Sequence, residues 1–288
     1  MADAVLHGAP GKRAVRGVLN VAFIGFCWVS AALAIAALLA ILASLVVQGV
    51  GGLNGYVFTL DTPAPGSVGG LRNAIVGSVM LCVLAMVLAV VVGVLAGTWL
   101  SEYGREGRYA QVVRFVNDVL LSAPSILVGL FIYQLLVRPF HGFSGWAGAV
   151  SLALIAAPVV TRTTEDVLKL QARQLRESGV ALGAPMWTTI RSILWRAAGG
   201  GIITGALLAF ARISGETAPL LFTSLNNQFF SLNMSKPMGA LPVVIFNYAL
   251  SAYDDWRRLA WVGALLIASA VLAINILVRA LSREPSRR

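Results

Sequence analysis

Long apolar runs, separated by polar segments, make up most of this chain. A helix needs about 20 apolar residues to cross the hydrocarbon core of a membrane. On that criterion the pattern predicts six membrane-spanning helices, at residues 18–48, 72–100, 113–137, 144–161, 199–223 and 258–281. A turn-rich connector precedes residue 72, and we expect a short interfacial segment around Tyr56–Leu60 within it. The predicted fold is an all-α polytopic membrane protein.

The composition supports this class. Of the 288 residues, 58% are hydrophobic and 12% are charged, whereas a soluble domain carries roughly 25% charged residues. Lys and Arg concentrate in the cytoplasmic loops of membrane proteins. If the N-terminus is cytoplasmic, sixteen of the 22 Lys and Arg lie inside and five lie outside. We therefore expect both termini in the cytoplasm, and we attribute the net charge of +10 to topology rather than to nucleic-acid binding.

Motifs for independent catalysis are absent from the sequence. It contains no phosphate-binding loop of the kind that hydrolyses ATP, and His7 and His141 lack Cys or carboxylate partners at metal-ligand spacing. Cys27 and Cys82 lie inside apolar runs, so we expect no disulfide. We expect no catalytic residue, metal site or bound cofactor in this chain. Asp118 is interpreted as a helix-start residue of the third span, the alternative being a proton relay.

Glycines recur at four-residue spacing in two of the predicted spans, as Gly93/Gly97 and Gly201/Gly205. Small residues at this spacing let two membrane helices approach closely. We interpret them as packing positions. For the triple glycine 199–201, a hinge is the alternative.

A polar, basic segment at 162–198 follows the fourth span. Thr163, Thr164 and Glu165 have the chemistry of a helix start, and they predict a helix that runs to Gln174. The segment is long for a connector and has no core of its own. This favours a docking element for a partner chain, the alternative being a solvated pair of helices.

Within this segment, Gly183 follows Glu177 by six positions and Ile193 follows Gly183 by ten. This spacing is similar to the cytoplasmic loop of binding-protein-dependent ABC importer permeases, although Ser178-Gly179 stands where that loop has two alanines. The resemblance implies a short coupling helix at about Glu177–Leu182, seated in a groove of an ATPase subunit. Gly183 would permit the turn that leaves the helix. The implied coupling residues are Glu177, Ser178, Gly179, Ala181, Leu182 and Gly183.

Arg212 lies in the apolar run of the fifth span, where a cation costs about 2.5–3.5 kcal/mol on insertion scales. Glu216 follows four residues later, so on a helix the two side chains can meet on one face. The planar guanidinium suits recognition of an oxyanion. A structural ion pair, or a gate without substrate contact, are the alternatives. A carboxylate at Glu216 could accept a proton from hydrogen phosphate, which sulfate does not offer, and could thus select against sulfate.

Further polar and helix-breaking residues surround this pair. Ser214 and Thr217 add hydroxyl groups, and the four residues Arg212, Glu216, Ser214 and Thr217 form the predicted substrate pathway. Pro219 cannot donate a hydrogen bond to the Gly215 carbonyl, so we expect the helix to be kinked there.

The stretch 212–223 closely resembles a signature of phosphate ABC transporter permeases, and residues 62–66, 69–71, 123–126, 129–131 and 161–165 extend the likeness. The resemblance implies a type I permease fold whose five-helix core pairs with a sister permease as a heterodimer. It also implies an ATPase dimer that uses ATP-Mg, a periplasmic phosphate-binding protein, and import of inorganic phosphate by alternating access. The expected location is the bacterial inner membrane, in contact with lipid.

On this basis we divide the chain into three parts. Residues 1–70 hold the N-terminal tail, the first span and an outer loop. Residues 71–281 form the permease core and include the coupling segment 162–198, and residues 282–288 form a cytoplasmic tail. Alternatives are a permease for another oxyanion and a secondary anion transporter. The apolar pattern shows no inverted repeat of the kind common in secondary transporters.

Overall fold

The computed structural model of this chain describes residues 10–104 and 107–281, and all regular elements in this part are helical. Residues 1–9 of the predicted N-terminal tail, the C-terminal tail 282–288 with Arg283, Arg287 and Arg288, and the inner residue Arg105 lie outside the described residues. The α-helices are α1 (Pro10–Gly52), α2 (Tyr56–Thr59), α3 (Arg72–Trp99), α4 (Arg108–Ser122), α5 (Ser125–Ile132), α6 (Gly145–Lys169), α7 (Arg173–Ala181), α8 (Met186–Thr189), α9 (Trp195–Ser214), α10 (Ala218–Thr223), α11 (Leu241–Ala249) and α12 (Asp254–Leu281). Three segments form wider π-helical turns. Leu100–Gly104 continues α3, Tyr133–Val137 continues α5, and Ile190–Leu194 joins α8 to α9.

Five helices in the described part are long and apolar enough to cross a membrane. They are Val15–Gly52, Arg72–Gly104, Gly145–Lys169, Met186–Ser214 and Asp254–Ala280. They correspond to five of the six predicted spans, and α2 confirms the short segment expected around Tyr56–Leu60.

The predicted span at 113–137 is not a single helix. It consists of α4 and α5, which are bent by 107° relative to one another, so that only the bent pair taken together passes as a sixth span. The bend lies at Ala123 and Pro124. A proline disfavours the helical conformation of the residue before it, and Ala123 is extended, with φ −65° and ψ 135°.

Two predicted helix starts are wrong. Asp118 lies inside α4, where it contacts Arg162 at 3.8 Å, because α4 already begins at Arg108. The predicted start residues Thr163, Thr164 and Glu165 lie inside α6, which continues to Lys169. The next helix begins only at Arg173. The Thr163 hydroxyl donates to the carbonyl of Val159, four residues earlier, so it serves the helix interior instead of capping a new helix.

The core is built around α6, which packs between α3 and α9. Four glycines make this approach possible, because a Cβ atom added to any of them would lie closer than 3.0 Å to atoms of α6. They are Gly93 and Gly97 on α3, and Gly201 and Gly205 on α9. The predicted packing role of these glycines is confirmed. Helix α9 continues through the triple glycine without a break.

The segments after α1 and after α10 pack together at one end of this core. Asn73, at the start of α3, donates to the Thr62 hydroxyl at 3.0 Å and to the Asn227 carbonyl at 2.7 Å. Helix α1 stands apart from the core, since its residues are almost all exposed and its close approach is to α12, at Gly49 and Gly52.

Candidate functional site: a broken helix and a buried ionic junction

The predicted substrate-pathway residues lie where the helix after the polar segment breaks. Helix α9 ends at Ser214, residues 215–217 are not helical, and α10 begins at Ala218 with Pro219 in its first turn. Proline is favoured in the first turn of a helix, where its missing N–H is not needed. The expected kink at Gly215 and Pro219 is therefore a complete break.

The break separates the predicted charge pair. Arg212 lies in the last turn of α9 and is exposed, whereas Glu216 lies beyond the helix and is half-buried. Within the described ranges, the two side chains form no ion pair with each other. The prediction that they meet as a helical i, i+4 pair is wrong, because the helix ends two residues before Glu216. A cation in the last turn of a helix also meets the negative end of the helix dipole, which favours it there.

The break nevertheless gathers polar groups in one place. The Ser214 hydroxyl donates to the Phe210 carbonyl at 2.7 Å, and the Thr217 hydroxyl is 3.5 Å from the Pro242 carbonyl on α11. Non-helical backbone at membrane depth is tolerated only where protein buries it or where it lines a water-filled cavity. The exposed Arg212 thus lies beside non-helical backbone and near the hydroxyl groups of Ser214 and Thr217.

A cavity of about 300 Å³ lies nearby, between α3, α9, α11 and α12. Its walls are almost wholly apolar, formed by side chains such as Ile75, Phe210 and Leu266, with Ser214 at one side. An anion would lose its hydration there without gaining hydrogen bonds. This cavity is therefore not the anion site.

A helix is present where the coupling helix was predicted, since α7 begins at Arg173, four residues before the predicted start, and ends at Ala181. Gly183 has φ +73°, a left-handed conformation that glycine adopts without strain, and the predicted turn after the helix is confirmed. Gly179 is buried, and a Cβ atom added there would collide with Thr189. Leu182, in contrast, is 84% exposed. The helix thus packs one face against the chain, and the apolar residues Val180 and Leu182 at its C-terminal end are exposed.

Sequence reasoning missed a junction between α7 and the core. Arg176 on α7 donates to both carboxylate oxygens of Glu102, at 2.7 and 2.8 Å, and to the carbonyls of Leu168 and Gln171, both at 2.8 Å. The Glu102 side chain is only 2% exposed. These four groups are called the Arg176 junction below. The hydrogen bonds to Glu102 raise the pKa of Arg176 above its ordinary value, against the opposing effect of burial, so the guanidinium remains charged.

A second buried carboxylate lies in the same region. Glu165, whose side chain is 1% exposed, accepts from Arg114 at 2.7 Å and from Lys169 at 2.5 Å. Arg114 also donates to the Leu100 carbonyl at 3.1 Å. Of these contacts, only the i, i+4 spacing of Glu165 and Lys169 was visible in the sequence. The contact of Arg114 with Glu165 joins residues 51 positions apart, and that of Glu102 with Arg176 joins residues 74 apart.

Comparison with known protein families identifies the family of this chain. The family described as "Binding-protein-dependent transport system inner membrane component" matches residues 89–287. The chain belongs to this family.

Its relatives are phosphate transport proteins. The chain is 51% identical over 260 residues to the "Phosphate transport system permease protein PstA" of Haemophilus influenzae, and the match covers 90% of this chain and 92% of the relative. The protein of the same name from Yersinia pestis is 51% identical over 82% of this chain and 80% of its own length. The "Probable phosphate transport system permease protein PstA" of Methanocaldococcus jannaschii is 35% identical over 74% of this chain and 76% of its own length.

Solved structures support the fold. The chain is similar to the inward-facing MetNI methionine ABC transporter, with a TM-score of 0.60 at 19% identity, covering 73% of this chain and 95% of that one. A second crystal form of that transporter gives a TM-score of 0.59 at 18% identity, covering 74% and 96%. The type I permease fold expected from the sequence is that of these neighbours.

The part that matches the family begins within α3 and includes both the broken helix and the Arg176 junction. Helices α1 and α2 lie before it. Members of this family work as inner membrane components of binding-protein-dependent transport systems, as the family description states. Both features of the site therefore lie within the transport component itself.

Proposed function

We propose that this chain is a permease subunit of an ATP-driven importer that moves inorganic phosphate across the bacterial cytoplasmic membrane. The observation that carries the proposal is the 51% identity over 90% of the chain to a phosphate transport system permease. Such identity over nearly the full length of both proteins supports the same cargo. The chain supplies the membrane pathway, and ATP hydrolysis belongs to a partner.

In this proposal the chain crosses the membrane six times, with the bent pair α4–α5 as one crossing and with both termini in the cytoplasm. The excess of Lys and Arg in the predicted inner segments supports that orientation. The Arg176 junction then lies at the cytoplasmic side, as does the start of α9. The break lies at the other end of α9. From Trp195 to Arg212 the helix rises by about 25 Å, at roughly 1.5 Å per residue.

Helix α7 docks on the partner ATPase. Its exposed apolar residues support this role, since Val180 is 59% exposed and Leu182 is 84% exposed at the end of the helix. Apolar side chains at such exposure commonly mark a protein contact when they are grouped. ATP-driven closure of the ATPase dimer moves α7, and that motion tilts the membrane helices between outward-facing and inward-facing arrangements.

Arg212 meets the anion in the pathway, with Ser214 and Thr217 as hydroxyl partners. Its exposure on a single chain supports a position on a surface that a sister permease completes in the heterodimer. Glu216, displaced from the helix by the break, lies close in sequence to this arginine, where its carboxylate selects a protonated oxyanion over sulfate. A periplasmic phosphate-binding protein delivers the anion to the segments that precede α3 and follow α10.

The test is accumulation of radiolabelled phosphate in a bacterial strain without its own phosphate uptake systems. The chain is expressed with its sister permease, ATPase and binding protein, and the control lacks only this chain. We expect ATP-dependent accumulation that excess sulfate does not compete away. Uptake of sulfate in place of phosphate would reassign the cargo. Accumulation that persists without the ATPase and follows an ion gradient would indicate a secondary transporter.

A further inference from the structure

The Arg176 junction joins three separate elements through one side chain. Arg176 belongs to α7, Glu102 belongs to the π-helical turn that ends α3, and Leu168 and Gln171 lie at and just after the C-terminal end of α6. The last carbonyls of a helix have no partner within it. Arg176 therefore binds the C-terminal end of α6 through two carbonyls, of which that of Leu168 also accepts from the Gln171 amide at 3.1 Å, and it binds the end of α3 through a carboxylate.

The contacts of α7 with the rest of the chain differ in kind. Against α8 and the π-helical turn that follows it, α7 packs through Leu175 and Gly179. These contacts are apolar and contain no directional bonds. Toward α3 and α6, the connection is made by the four hydrogen bonds of the Arg176 junction. Charge-assisted and bidentate hydrogen bonds are stronger and more restrictive in geometry than neutral ones. The connection to α3 and α6 is thus the one that fixes orientation.

Stability alone does not account for such a pair. A buried ion pair commonly contributes little net stability, because removing both charges from water opposes their attraction. A well-packed apolar pair would hold α7 equally well. What the ionic arrangement adds is a fixed position of the α7 axis relative to two helices that cross the membrane.

The two helices bound by Arg176, α3 and α6, pack closely against each other. Gly93 and Gly97 bring α3 into backbone contact with α6, and the Trp195 indole donates to the Thr98 hydroxyl at 3.0 Å, which ties α9 to α3. A displacement applied at the Arg176 junction is therefore passed to α3 and α6 together.

We propose that Arg176 and Glu102 are positioning residues that convert movement of α7 into movement of α3 and α6, and so keep ATP hydrolysis coupled to transport. This inference rests on the proposed function. It differs from docking, because the junction faces the core of the chain and not the surface offered to the ATPase. Loss of the junction leaves α7 bound to the ATPase but free to move without the membrane helices.

The experiment measures the number of ATP molecules hydrolysed per phosphate imported by the purified four-component complex in proteoliposomes. The variants are Arg176→Lys, which keeps the charge but loses the planar fork, Arg176→Gln and Glu102→Gln. Arg108→Gln is the comparison variant, since Arg108 is an exposed arginine at the start of α4, outside the coupling segment. For the junction variants we expect phosphate import to fall at least tenfold while ATP hydrolysis stays within twofold of wild type, so that the ratio rises at least fivefold. The ratio for Arg108→Gln stays within twofold of wild type.

Each other result contradicts the inference. If import and hydrolysis fall in proportion in assembled complexes, the junction is only structural. If Arg176→Lys, which keeps the charge of the pair, fails to co-purify with the ATPase, the pair serves folding and not coupling. If the wild-type complex imports no phosphate, the proposed function itself fails, and this outcome is distinguished from the others by the wild-type control.

Discussion

Replacing Arg212 by Gln separates a transport role from a structural one. The side chain is exposed in the last turn of α9, and in the described part of the chain it forms no ion pair. Surface substitutions away from buried networks usually change the free energy of unfolding by less than about 0.5 kcal/mol. We therefore expect Arg212→Gln to insert, assemble and unfold like the wild type.

The expected loss in transport is much larger. A hydrogen bond to a charged group contributes about 1.5–3 kcal/mol, and each 1.4 kcal/mol is about a factor of ten in an equilibrium or a rate. Removing the guanidinium from a phosphate in the pathway should therefore lower the uptake rate by about 10- to 100-fold at phosphate concentrations below saturation. Arg212→Lys should lose less, because the ammonium keeps the charge but cannot make the bidentate contact.

The assay is the initial rate of radiolabelled phosphate uptake, together with thermal unfolding of the purified complex. Arg279→Gln is the matched control, since Arg279 is also an exposed arginine in the last turn of a long apolar helix, α12. It should transport at the wild-type rate. Normal phosphate accumulation by Arg212→Gln in assembled complexes would refute the reasoning, and equal losses in Arg212→Gln and Arg279→Gln would assign the effect to the membrane helix in general.

Three further predictions follow from the same contacts. Glu216→Gln should weaken discrimination against sulfate, measured as the excess of sulfate needed to halve phosphate uptake, and unchanged discrimination would remove Glu216 from selectivity. Gly205→Ala should destabilise the complex by about 1–3 kcal/mol, because the added methyl group overpacks the contact with α6. In the control variant Gly199→Ala the same methyl group meets open space, so this variant should be neutral or stabilised by up to about 1 kcal/mol. Thermal unfolding of the two variants distinguishes these outcomes. Leu182→Glu should reduce co-purification of the ATPase at least tenfold by placing a charge in the docking surface, whereas Val68→Glu, an equally exposed position in the outer loop, should not; equal co-purification of both variants would argue against α7 as the docking helix.

The long elements follow closely from the hydrophobic pattern. The predicted spans at 72–100 and 258–281 lie within a few residues of α3 and α12. Apolar runs of this length have one stable solution in lipid, because every backbone polar group must be satisfied within the helix. The pattern therefore determines these helices with little help from their neighbours.

The prolines show where local sequence is insufficient. Pro158 lies inside α6 without ending it, whereas a break occurs at Pro124 and another just before Pro219. The missing N–H and the steric clash are the same in all three cases. In α6 the helix is held on both sides by α3 and α9, so tertiary packing outweighs the local cost. Before Pro219, Gly215 has a low helix propensity, and the helix ends there.

The buried carboxylates could not have been predicted for a related reason. Glu102 and Glu165 lie in segments that carry several charges, and counting charges assigns such segments to the cytoplasmic side without saying which side chains are buried. Their arginine partners lie far away in sequence, so no periodicity connects them. Tertiary packing of α4 against α6, and of α7 against the end of α3, brings these groups together.

If the proposed roles of the broken helix and the Arg176 junction hold, their positions favour a transport motion in which packed helices tilt and do not bend. Helix α9 carries the break at its one end, and at its other end it is tied to α3 through Trp195, next to the Arg176 junction. Between these ends, close contacts at glycines hold α6 against both neighbours, and closely packed contacts resist sliding because the interface has no free volume to rearrange into. In the proposed coupling, a displacement of α7 is transmitted along the whole length of α3, α6 and α9. The non-helical residues 215–217 can absorb the change, and the polar groups at that break are therefore the ones whose surroundings change when α7 moves.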